Sequence, residues 1–188
     1  MLEQTVPSAA RAGRAIGAMF VSFFGAVWLI VGGIQGGHTP MAVIVPVALM
    51  TLGLLVFVRR TYLQNRAALE GSKNLPEQKR RSRWFNIINA AQWVLIICIA
   101  NALARLHMIA WILPAIMLIV GLHFLPLAGL FSYKAHYVTG AVLMTTALVY
   151  PFVASRGPAA PVGCYITGIT LWLSALYALT LSPAPARS

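Results

Sequence analysis

Apolar residues run in long blocks along this chain, and polar residues collect in short stretches between them. Six blocks stand out: Ala15–Gln35, Met41–Val58, Trp84–Ala104, Met108–Phe131, Tyr137–Ala154 and Gly163–Leu181. An α-helix rises about 1.5 Å per residue, so about 20 apolar residues cross the roughly 30 Å hydrocarbon core of a bilayer. The blocks lack the alternation of half-buried strands, and backbone crossing lipid must satisfy its own hydrogen bonds. The pattern predicts an all-α integral membrane bundle of about six transmembrane helices.

The breaks agree with that count. Gly36-Gly37-His38-Thr39-Pro40 is a tight turn, and Arg105-Leu106-His107 is so short that its flanking helices form an antiparallel hairpin. Arg156–Pro161 separates the last two spans, while Arg59–Arg83 reads as a basic loop containing Asn74-Leu75-Pro76 and Lys79-Arg80-Arg81-Ser82-Arg83. Residues 1–14 form an N-terminal segment, 15–181 the transmembrane domain, and the Pro/Ala-rich residues 182–188 a disordered tail. The first block has no A-x-A cleavage site and reads as an uncleaved signal anchor.

Charge orients the bundle. With the N-terminus inside, Arg11, Arg14, Arg59, Arg60, Arg66, Lys73, Lys79, Arg80, Arg81, Arg83, Lys134 and Arg187 are cytoplasmic, and Arg105 and Arg156 alone are external, which accounts for all 14 basic residues. Basic residues in short loops mark the cytoplasmic side, so both termini are expected inside. Composition adds that 60% of the 188 residues are hydrophobic and 9% charged, whereas a soluble domain carries about 25% charged residues. The net charge of +11 therefore points to anionic lipid head groups at the basic loop, with no nucleic acid as partner. Glycines 13, 17, 25, 32 and 33 allow close helix approach, within the bundle or towards a second copy or another membrane partner.

The candidate chemistry is sparse. Glu3, Glu70 and Glu77 are the acidic residues and lie outside the predicted spans, which disfavours carboxylate-driven pumping and aspartyl proteolysis. No nucleophile-elbow, Walker or zinc-protease motif occurs, so no catalytic residue is assigned. Cys98 and Cys164 form no CxxC motif. His38 with Met41 and His107 with Met108 offer Cu(I)-type donors on the outer side, but no spacing links the pairs, and no metal is assigned. A haem would need a second histidine opposite His123 at its depth, and none is evident, so no cofactor is assigned.

His123 is the principal candidate. It precedes Pro126, which cannot donate to the Leu122 carbonyl, and it lies about 12 Å inward from Phe131 by helical rise. Matching depths across the hairpin brings Asn89 to its level and Gln92 one turn outward, and the next hairpin brings Thr145 and Thr146. Ser22, Thr51 and Ser174 fall near the same layer. His123, Asn89, Gln92, Thr145 and Thr146 are thus the expected substrate-binding set. The competing reading is a polar clasp that fixes packing, since interhelical hydrogen bonds of about 0.6 kcal/mol are common in membranes.

Three blocks on each side of the midpoint permit a 3+3 inverted repeat, with Leu29–Gly32 matching Leu118–Gly121. The stretch Ile119-Val120-Gly121-Leu122-His123-Phe124-Leu125-Pro126-Leu127-Ala128 resembles a signature of small uncharacterised bacterial polytopic inner-membrane proteins. That resemblance covers the third to fifth helices and implies a compact helical bundle with no assigned activity. In size and topology the chain also resembles the substrate-binding subunits of energy-coupling-factor vitamin importers. Small-solute transport, or an accessory role in it, is the expectation; a non-catalytic membrane subunit or assembly factor is the alternative.

Overall fold

The computed structural model describes residues 5–72 and 76–180. Six α-helices follow in order: α1 (Thr5–Gln35), α2 (Pro40–Ser72), α3 (Pro76–Arg105), α4 (Ile112–Phe131), α5 (Ala135–Val153) and α6 (Val162–Thr180), with short 3-10 turns at Ile109–Trp111 and Gly157–Ala159. All six are long and apolar enough to cross a membrane. This is a multi-pass, all-α membrane protein.

The basic loop expected over Arg59–Arg83 is mostly helix. α2 runs on to Ser72 because Thr61–Glu70 is rich in helix formers, and Asn65 donates to the Thr61 carbonyl at 2.8 Å. α3 begins at Pro76, whose missing N–H costs nothing there, with Glu77 in its first turn. Lys79–Arg83 therefore lies on the first turns of a helix. α1 likewise starts at Thr5, within the segment expected to precede it. Asn74-Leu75 and the tail 182–188 lie outside the described residues.

In space the helices neighbour one another in the order α3, α4, α5, α6, α1, α2. The main core gathers Trp28 of α1, Met117 and Phe124 of α4, Leu143 and Tyr150 of α5, and Cys164 and Leu171 of α6. Two glycine crossings draw the central helices together. The Gly25 carbonyl lies 2.8 Å from where a Gly168 Cβ would stand, and the Gly168 carbonyl 3.1 Å from that of Gly25. Gly121 and Gly140 do the same for α4 and α5. Gly32 packs on Cys164 and Tyr165 of α6, whereas Gly121 packs on α5. The two glycines of the Leu-Ile-Val-Gly match thus occupy non-equivalent places.

Three hairpin turns end their helices alike. Gly37, His107 and Ser132 each adopt positive φ (85, 57 and 50°). The following N–H groups of His38, Met108 and Tyr133 bond back to Gly33, Leu103 and Ala128. His107 is in this sense a turn residue, and His38 Nδ1 donates to the Gly33 carbonyl at 3.2 Å. Tyr150, near the C-terminal end of α5, is buried, its hydroxyl donating to the Pro158 carbonyl at 3.1 Å. Trp172 of α6 reaches α1, its indole N–H donating to the Ser22 carbonyl at 3.0 Å.

Candidate functional site

His123 is half-buried on α4, and its imidazole faces the backbone of Ile88 on α3. Ile88, Asn89 and Gln92 belong to a half-buried stripe that continues through Ile96, Ile99 and Leu103. That stripe recurs at helical spacing and looks towards α4, the main packing partner of α3. Asn89 and Gln92 thus lie on the α4-facing side, and the point where His123 meets α3 is the residue before Asn89.

The two threonines do not join this level. The position of an added Gly140 Cβ would lie 3.2 Å from Phe124 Cβ, so His123 is level with Thr139 and Gly140. Thr145 and Thr146 are more than a turn further from that end, roughly 8 Å by helical rise. Thr145 is exposed, and Thr146 donates to the Val142 carbonyl of its own helix at 2.8 Å. The misplacement arose because depth matching assumed parallel axes and symmetric helix ends, while the glycine crossing sets the actual register. At the level of His123 the interhelical hydroxyl pair is Thr139 and Ser174, at 3.0 Å. Ser22 and Thr51 donate within their own helices at 2.6 Å.

The structure brings another histidine to His123. His136, in the first turn of α5, lies tilted against Phe124 with ring centroids 5.3 Å apart, and His123 meets the same ring edge-on at 6.2 Å. The two imidazoles are close enough to interact electrostatically. Tyr133 continues the series, 4.8 Å from His136 and perpendicular to it. The Arg14 guanidinium of α1 stands 5.9 Å from the Tyr133 ring centre, a cation–π distance. Arg14, Tyr133, His136, Phe124 and His123 therefore form a continuous line across α1, α5 and α4 on the N-terminal side of the bundle.

Sequence reasoning left Tyr133 and His136 between the fourth and fifth blocks, with no role in the site, and counted Arg14 as a topology charge. One signal was available: a connection as short as Ser132–Lys134 forces its flanking residues into first and last turns. The Ser132 cap fixes where Tyr133 leaves α4.

The Nδ1 atoms of both His123 and His136 are buried without a hydrogen-bond partner. Glu70 is exposed, as is Glu77; neither offers a carboxylate at the depth of the imidazoles. The line therefore presents nitrogen donors and acceptors, aromatic faces and one guanidinium. Such a set suits a neutral or anionic polar group better than a cation. Among the described residues, no group of three or more His, Cys, Asp or Glu side chains stands close enough to hold a metal ion.

Comparison with protein-family models, with curated proteins and with solved structures finds no match for this chain. The functional reading therefore rests on the geometry.

Proposed function

We propose that this protein handles a small neutral or anionic solute, as a transporter or a transport-accessory protein, at the line from Arg14 to His123. One observation carries the reading: the Nδ1 atoms of His123 and His136, each buried without a hydrogen-bond partner, lie beside one aromatic ring. Leaving a polar atom unsatisfied in an apolar surrounding costs about 1–3 kcal/mol. A purely structural clasp would pair these atoms; a binding site leaves them for a ligand. In this reading the membrane is a bacterial inner membrane, both termini are cytoplasmic, and the site opens towards the cytoplasm.

Thiol labelling tests it. In a Cys98→Ala, Cys164→Ala background, His123→Cys and His136→Cys are expected to react with a water-borne maleimide. A transporter makes at least one of them reactive from each face of the membrane. Failure of the reagent to reach either position from either face rejects the solute site.

A second reading is favoured by α3, which has no buried residue along its 30 residues and exposes Trp84, Ile87, Trp93, Val94, Leu95 and Ile97. A helix left this open, with Trp93 meeting the Phe24 ring of α1 at 6.3 Å beyond the α4-facing stripe, suits a non-catalytic subunit that packs against another membrane protein. That reading predicts unreactive cysteines at 123 and 136, together with crosslinks from α3 to a partner.

A further inference from the structure

A groove of about 500 Å3 opens between the N-terminal end of α3 and the C-terminal end of α4. α3 supplies Glu77, Arg80, Arg81, Trp84 and Ile88, which fall on one helical face; α4 supplies Pro126, Gly129 and Leu130. The helices are joined beside it by Phe85 and Phe131, whose ring centroids are 6.0 Å apart. Gly129 presents no side chain to the groove, and an added Cβ there would meet only the Tyr137 hydroxyl, at 3.9 Å.

The lining is graded. Exposed guanidiniums lie at the mouth, a half-exposed indole follows with Leu130 near the same level, and Ile88 and Pro126 lie deeper along the span. A phospholipid has the same order of chemistry: a phosphate, then glycerol esters, then methylenes. Two guanidiniums outweigh the single carboxylate of Glu77, so the mouth is net positive. Guanidinium forks bind phosphate oxygens through paired hydrogen bonds, and tryptophan favours the head-group level of a bilayer.

We infer that this groove is a binding site for one anionic phospholipid of the leaflet on the N-terminal side. The head-group phosphate lies on Arg80 and Arg81, and the start of an acyl chain follows Trp84, Ile88, Pro126 and Leu130. The site is separate from the solute reading: His123 meets Ile88 at its backbone, and His123 does not line the groove. Diffuse attraction of a basic surface for acidic lipid would use every cation of the region equally; this site selects two of them and a shape.

Native mass spectrometry of the full chain, delipidated and then titrated with phosphatidylglycerol, phosphatidylethanolamine or inorganic phosphate, tests it. Wild type is expected to retain one phosphatidylglycerol. Arg80→Ala/Arg81→Ala should weaken that retention about tenfold, and Lys79→Ala/Arg83→Ala, which removes equal charge outside the groove lining, less than twofold. Gly129→Leu fills the groove while keeping every charge and should also lower retention. A size-exclusion profile matching wild type certifies each variant as folded, and any one folded groove variant suffices for the comparison. Equal losses in the two double variants, equal retention of phosphatidylethanolamine, or displacement of the lipid by millimolar inorganic phosphate would each overturn the assignment.

Discussion

Gly121 and Gly140 hold their carbonyl oxygens against each other's missing side chains: the Gly121 oxygen lies 2.8 Å from an added Gly140 Cβ, and the Gly140 oxygen 3.0 Å from an added Gly121 Cβ. This contact fixes how α4 slides along α5. It thereby decides that His123 meets the level of Thr139, and that Phe124 lies between the two histidines.

Gly140→Ala is expected to force the helices apart, because the obstructing atom is backbone and cannot rotate away. Overpacking of this kind costs about 1–3 kcal/mol. Thermal unfolding in detergent should show a clear fall in midpoint, whereas Gly13→Ala, with nothing within 4 Å of its new methyl, should leave the midpoint unchanged or slightly raised. Equal behaviour of the two variants would contradict the crossing.

Thr167 on α6 is fully buried, and its hydroxyl has no hydrogen-bond partner. Valine has nearly the same shape without the unsatisfied oxygen. Thr167→Val should therefore raise stability, by roughly 1 kcal/mol given the cost of an unpaired buried polar atom. A measured loss of stability would show that the hydroxyl is engaged.

The proposed membrane orientation rests on the twelve-to-two distribution of the 14 basic residues. Reporter fusions after Asn74 and at the C-terminus should both read cytoplasmic, and fusions at His107 or Pro158 external. An external signal from the Asn74 fusion would invert the orientation proposed above.

Six spans and their order could be read directly from the chain, because the cost of placing polar groups in hydrocarbon is local and large. The hairpin at Arg105–His107 was equally legible from its length alone. The extent of α2 and α3 beyond the apolar blocks was not, since Thr61–Glu70 and Lys79–Arg83 are polar enough for a loop and also good helix formers. Composition cannot distinguish the two.

His123 announced itself as an imidazole in an apolar run beside a proline, and that much belongs to the sequence. Its companions did not. Pairing His123 with His136, and bringing Tyr133 to Arg14, depends on helix rotation and axial register. Those are set by where backbones touch at Gly25–Gly168 and Gly121–Gly140. In a bilayer, apolar side chains gain little by choosing protein over lipid, so hydrophobicity carries almost no information about which face turns inward. The sequence alone determined which segments enter the membrane; close contact between glycines, a tertiary matter of shape, decided which polar groups meet there.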